Sequence, residues 1–273
     1  LSENKLKKET KVNIFLGSSS LFGIGASNNE FTIPSYLAKS GINNPINFGI
    51  PAFNSTQELI SFLIFRPQEV EIERIIIFSG INNFTLKEIG KCALPNISPL
   101  FNNDIVTFNI NKDKSSRALI KALLNKFLAK LNLYNKKHEN KQTINTKQFD
   151  PINQTISDLK IINSIAKTEN AKLYFFFQPL ASLMKKEFSI EEKMILDSLR
   201  KMNLTTEFLN KKIISQYDLS INNLQRFCEK ESIKYFNLNN ELSPNRNDWF
   251  FSDSIHLTDL GYSICSDFIK SII

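Results

Sequence analysis

Four short blocks hold residue types that could do chemistry together. The first is Leu16-Gly17-Ser18-Ser19-Ser20-Leu21-Phe22-Gly23-Ile24-Gly25, directly after an apolar run. Small residues there expose backbone N–H groups and a hydroxyl, which suits a nucleophilic serine or an anion cradle at a helix start. It is not a P-loop, because GxxxxGK[ST] is missing, and no GxGxxG fingerprint follows the run. The second block is Phe48-Gly49-Ile50-Pro51, with Asn54-Ser55 opening a helix. Gly49 serves a tight turn, or leaves its N–H unshielded as a donor to a substrate oxyanion. In the third, Phe78-Ser79-Gly80-Ile81-Asn82-Asn83, Asn82 caps the next helix or aims its amide at that same oxygen. The fourth is Phe251-Ser252-Asp253-Ser254-Ile255-His256-Leu257-Thr258-Asp259-Leu260-Gly261-Tyr262. Asp253 and His256, three residues apart ahead of a helix, come close enough in one turn for the carboxylate to hold the imidazole N–H. That would orient the ring as a base for a serine.

The elements that carry these blocks are short apolar runs alternating with helical patterns. Val12–Leu16, Ile46–Phe48, Ile75–Phe78, Leu173–Phe177 and Ile233–Leu238 read as strands. Ile75–Phe78 and Leu173–Phe177 are apolar at every position, as strands covered on both faces of a parallel sheet must be. Helical spacing marks Ser55–Phe65, Ile152–Asn170 and Ser189–Lys230, with Ser189 as an N-cap ahead of Glu191 and Glu192. A last helix starts near Thr258. The alternation predicts an α/β fold, a three-layer doubly wound sandwich with a mainly parallel five-stranded sheet. In such sheets sites form at the carboxyl ends of strands, where three of the four blocks lie.

Taken together, the blocks resemble those of the SGNH (GDSL-like) hydrolases, serine esterases and acyl-ester hydrolases of a three-layer α/β fold. The resemblance runs from Val12 to the C-terminus and leaves residues 84–170 without a motif. DSIHLTDLGY is its most specific part, and the first block resembles the Gly-Gly-Ser-Thr variant more than Gly-Asp-Ser-Leu. By position, the resemblance implies Ser19 as nucleophile, His256 as base and Asp253 as its orienting carboxylate. It implies an oxyanion hole made of the Ser19 N–H, the Gly49 N–H and the Asn82 side chain. Ser18 and Asn83 stand where many members have Asp, and both are expected to tune hydrogen bonding around the site. The implied activity is hydrolysis of an acyl ester, acetyl above all, on a carbohydrate or other small substrate, without metal or organic cofactor. Analogy within the family suggests modification of bacterial envelope glycans. Two alternatives share the fold: an O-acetyltransferase that delivers the acyl group to a glycan hydroxyl, and a silent glycan-binding protein.

Composition sets the outer bounds. The 273 residues are 42% hydrophobic and 22% charged with a net charge of +7, as in a globular chain able to bury a core without disulfides or structural metal. No apolar run approaches the ~18 residues of a membrane span. The expected organisation is one domain over 1–273 with a basic helical insertion at about 101–150. Residues 111–148 hold ten Lys/Arg and two acids, so this segment is +8 and the remaining 235 residues sum to −1. Ser115–Tyr134 reads as an amphipathic helix and Asn135–Gln148 as a loop. The segment is a solvated face, a lid, or a peripheral contact to an anionic membrane or polymer. No nucleic-acid module accompanies it, so a nucleic-acid partner is not expected. Cys92, Cys228 and Cys265 form no metal or disulfide pattern and read as buried thiols. His138, in the polar stretch, reads as an exposed loop residue. Phe53, Phe84, Trp249 and Phe250 sit at the motif ends, as pocket lining or as core. The chain opens on Leu1 rather than Met, and its natural start, with any leader or anchor, is expected upstream.

Overall fold

A computed structural model describes residues 10–84, 151–201, 206–245 and 247–273, with the backbone alone at 151 and 206–216. The expected insertion at 101–150, with its helix, its loop and His138, lies outside the described residues, as does Cys92. The strands are β1 (Lys11–Gly17), β2 (Pro45–Gly49), β3 (Glu71–Ser79), β4 (Lys172–Phe177) and β5 (Lys234–Asn237). They form one sheet in the order β2-β1-β3-β4-β5, and every neighbouring pair is parallel. The helices are α1 (Ser19–Phe22), α2 (Ile33–Lys39), α3 (Ser55–Phe65), α4 (Pro151–Thr168), α5 (Ile190–Lys201), α6 (Thr206–Lys230), α7 (Leu238–Glu241) and α8 (Asp259–Ile272). None of the described helices is long and apolar enough to cross a membrane.

The period of two along each strand divides the sheet residues between two cores. Ile14, Leu16, Ile75, Ile77, Phe175 and Phe177 pack with Leu59 and Phe62 of α3, Leu159 and Ile162 of α4, and Ile221 and Leu224 of α6. Phe15, Ile76, Phe78, Tyr174 and Phe176 pack on the other face with Leu37 of α2 and Tyr262, Cys265 and Ile269 of α8. Each such side chain contributes roughly 1.5–3 kcal/mol on burial. The whole β-propensity scale spans only ~1 kcal/mol, so two-sided burial is what makes the LYFFF run a strand.

Local signals set the helix ends. Asn54 and Gln57 form a capping box on α3: the Asn54 side chain accepts from Gln57 N and the Gln57 side chain accepts from Asn54 N. Thr258 caps α8 by accepting from Gly261 N. The single helical stretch expected over Ser189–Lys230 is two helices, α5 and α6. Helix α2 was not legible: seven residues are too few to show a period, and Pro34 reads as a breaker. In the first turn proline is tolerated, because its missing N–H would have no partner there.

One polar cluster lies in the first core. The hydroxyls of Ser55 and Thr56 donate to Asp158 Oδ2 at 2.6 and 2.9 Å, and Gln154 donates to Oδ1 at 3.0 Å. The Ser79 hydroxyl donates to Glu58 Oε1 at 2.5 Å. Burial pushes the Glu58 carboxyl up to about 8 and the Asp158 charge adds to the rise, against the opposing bond from Ser79. Glu58 is therefore protonated at neutral pH. Between its ordinary value and about 8 the folded chain keeps a proton that the unfolded chain has lost, so this group makes stability fall as pH rises and level off above 8. Replacing it by the neutral isostere, Glu58→Gln, removes that slope. Urea midpoints taken from about pH 5 to about pH 9 are expected to show the variant gaining on wild type up to the titration and holding a constant margin beyond it.

Candidate active site

All five strands run the same way, so the ends of β1, β2 and β3 bring the first three blocks to one edge of the sheet. Ser19 is the first residue of α1, two positions after β1 ends at Gly17. Of the three consecutive serines it is the one that meets the histidine. His256 Nε2 lies 2.9 Å from Ser19 Oγ, and His256 Nδ1 lies 2.7 Å from Asp253 Oδ2. The other carboxylate oxygen, Asp253 Oδ1, accepts the backbone N–H groups of Ile255 and His256, each at 2.7 Å. Burial works against the charged form of Asp253, yet the hydrogen bonds and charge of His256, with the two backbone donors, hold its carboxyl below the usual carboxylate range. An ionised carboxylate only accepts, so Nδ1 carries the ring proton and Nε2 presents a lone pair to the Ser19 hydroxyl. The arrangement can therefore take a proton from Ser19.

A hairpin holds Asp253 and His256 in place. Phe251 pairs antiparallel with Leu257, Ser252 N donates to His256 O at 2.9 Å, and Thr258 N donates to Phe250 O at 3.0 Å. Ala181 N, from the segment after β4, donates to Ser254 O inside the hairpin at 3.1 Å. The hairpin leads into α8, whose start is tied to the chain just after α1. Asp259 accepts from Ser27 N at 2.8 Å and Ser27 Oγ at 2.6 Å, and the Tyr262 hydroxyl donates to Ile24 O at 2.8 Å. Gly25, at φ +96°, lets Leu257 O come close where a Cβ would collide with it.

The expected oxyanion donors fare differently. Asn82 is buried, and its amide donates to Phe53 O at 2.7 Å, which ties it to the turn after β2. The Gly49 N–H, at the end of β2, donates to the Asn47 side chain of the same strand, at 2.8 Å to Oδ1. Its neighbours are accounted for as well. Ile50 N donates to Gly17 O, Phe53 N to Ile50 O and Asn54 N to Gln57 Oε1, while Pro51 has no N–H. Among the described residues this leaves Ala52 as the turn's unpaired backbone donor. Ala52 also sits at φ +67°, a left-handed conformation costly for a residue with a Cβ. An alanine in this position carries no sequence signal of its geometry, and the glycine three residues earlier drew attention instead. Gly49 has a packing role: a Cβ there would stand 2.7 Å from Leu21 C and press into the backbone of Phe22.

The two departures from the family pattern take different parts. Asn83 is buried, accepts from Ser55 N at 3.0 Å and donates to Ser55 Oγ at 2.7 Å, so it serves the start of α3. Ser18 Oγ is buried without a hydrogen-bond partner. Of the aromatic residues at the motif ends, Phe84 and Phe250 are core, Phe53 is half-buried and Trp249 is 44% exposed. Cys228 and Cys265 are buried thiols whose pKa burial raises. No group of His, Cys, Asp or Glu among the described residues is arranged to hold a metal ion. Gly49→Ala is expected to lower stability by about 1–3 kcal/mol through overpacking against α1, read as a reduced urea midpoint with an unchanged m-value.

No protein-family model matches the chain, and no curated protein matches it in sequence. Solved structures do. A protein assigned as an acylhydrolase from Bacteroides fragilis NCTC 9343 aligns over 99% of this chain and 89% of its own, at 15% identity and TM-score 0.51. Phospholipase A1 from Streptomyces albidoflavus NA297 aligns over 96% and 98%, at 12% identity and TM-score 0.50. A protein assigned to the G-D-S-L lipolytic family from Desulfitobacterium hafniense DCB-2 aligns over 97% and 100%, at 12% identity and TM-score 0.50. At such identities the likeness is one of fold: the chain has the α/β fold of the SGNH hydrolases.

Proposed function

We propose that this protein is a serine ester hydrolase whose nucleophile is Ser19, acting on an acyl ester, acetyl above all, of a carbohydrate or other small substrate. The observation that carries the reading is the unbroken relay from Asp253 through His256 to Ser19, with both contacts at hydrogen-bond distance. The names of the structurally similar proteins, an acylhydrolase and a phospholipase, agree with ester chemistry.

In the first step Ser19 Oγ bonds to the ester carbonyl carbon while His256 Nε2 takes the hydroxyl proton. Negative charge gathers on the former carbonyl oxygen. The proposed donors to it are the N–H of Ser19 in the uncapped first turn of α1, the N–H of Ala52, and the Asn82 amide. Collapse breaks the bond to the leaving oxygen, and His256 returns its proton to the departing alcohol. Water then repeats the sequence on the acyl-enzyme, losing its proton to His256, and the acid leaves with Ser19 restored. Asp253 stays ionised throughout and stabilises the imidazolium. A sugar hydroxyl in place of that water would make the same relay an O-acetyltransferase.

A fluorophosphonate probe with peptide mapping, run beside p-nitrophenyl acetate turnover, tests the reading. One adduct at Ser19 is expected, with adduct and turnover both lost in Ser19→Ala. Asn82→Ala is expected to lose ~10²–10³ in kcat while keeping its far-UV spectrum. Neither adduct nor turnover from folded wild type would overturn the esterase and favour the silent glycan-binding alternative. Acylated product formed only on adding a glycan acceptor would instead assign transfer.

A further inference from the structure

The chain buries a charge pair that the proposed reaction does not use. The side chains of Lys186 and Glu192 are 1% and 0% exposed, and Lys186 Nζ lies 2.6 Å from Glu192 Oε2. Part of this is an ordinary helix cap at the start of α5: Ser189 N donates to Glu192 Oε2 at 2.7 Å and Glu192 N donates to Ser189 Oγ at 3.3 Å. In an ordinary capping box the second oxygen of the acid faces water. Here Glu192 Oε1 is turned inward and accepts two consecutive N–H groups, from Phe250 at 3.1 Å and Phe251 at 2.9 Å. Lys186 Nζ reaches the same segment from the other side, donating to Asp248 O at 2.8 Å. It also stands 6.0 Å from the ring centroids of Phe188 and Phe250.

Phe250 and Phe251 begin the hairpin that carries both Asp253 and His256. A single carboxylate oxygen holding adjacent N–H groups sets the height and twist of that hairpin's first strand. Part of the arrangement is stabilising, since without Glu192 the buried N–H groups of Phe250 and Phe251 would have no acceptor; which backbone groups it holds is what bears on the site. We propose that the Lys186–Glu192 pair is a positioning device, which holds the hairpin so that His256 Nε2 meets Ser19 Oγ. The proposal rests on the esterase reading for its kinetic consequence, but its structural consequence is independent of that reading.

The test is the double variant Lys186→Met/Glu192→Leu, which removes both charges and leaves none uncompensated. It is expected to stay folded with a lowered melting temperature, because the N–H groups of Ser189, Phe250 and Phe251 lose their acceptor. Its kcat for p-nitrophenyl acetate is expected to fall on the order of tenfold to a hundredfold, with KM nearly constant, as a small misplacement of the base would cause. Lys186→Met/Glu192→Gln, which keeps the shape and one acceptor oxygen and leaves no buried charge unpaired, should fall in the same direction by less, and it decides the matter if the first variant does not fold. The second readout is the low-field NMR signal of the His256 Nδ1 proton, which reports the contact with Asp253 without requiring turnover. It should move or broaden in both variants. A folded double variant with wild-type kcat and an unmoved imidazole proton would overturn the proposal. Wild type that shows the imidazole signal but neither turnover nor adduct would instead overturn the esterase, and the signal in the variants would still judge the pair.

Discussion

A parallel sheet has to be covered on both faces, and that constraint organises the molecule. Every strand must be followed by a crossover that returns to the starting edge. All strand ends of one polarity therefore gather at one rim. The apolar alternation of β1, β3 and β4 feeds one core below the sheet and another above it, and the polar residues of the site are pushed to the rim where neither core extends. Ser19, the turn holding Ala52 and the helical turn holding Asn82 arrive there because each follows a strand of the same polarity.

The contact between Ser19 and His256 asks for more than the sheet supplies. Ser19 and His256 are 237 positions apart, and His256 stands on a hairpin beyond the last strand rather than at a strand end. Its height is set by bonds from outside the sheet. Asp259 and Tyr262 tie the start of α8 to the chain that follows Ser19, so the segments bearing Ser19 and His256 are fastened to each other by both side chains. From the far side, Ala181 and Glu192 hold the hairpin's backbone.

Several buried polar groups around the site pair with the ends of neighbouring elements. Asn83 accepts from Ser55 N at the head of α3, Asp158 accepts from the hydroxyls of Ser55 and Thr56, and Asn239 accepts from Leu180 N at 2.8 Å in the segment that supports the hairpin. Asn83 supplies both a donor and an acceptor to Ser55, which a carboxylate at that position could not do. Ser18, by contrast, keeps a buried hydroxyl beside Ser19 with no partner among the described residues.

Residue order alone determined the strands, the bounds of α3 and the pairing of Asp253 with His256. Each depends on neighbours in the chain: two-sided apolar runs, an Asn-x-x-Gln cap, a three-residue spacing. The resemblance to a known family then singled out Ser19 among three adjacent serines. Only the tertiary structure decided which backbone N–H is available after β2. Gly49 looked suitable because it lacks a side chain, but availability depends on whether Asn47 folds back onto that N–H, and that cannot be read from a linear pattern. The same holds for Ala52, whose left-handed turn is imposed by its surroundings, and for Lys186 and Glu192. Glu192 reads in sequence only as an acid in the first turn of a helix, and Lys186, six residues earlier, carries no sign of a buried partner. Their meaning appeared only once the fold had removed the water from around them.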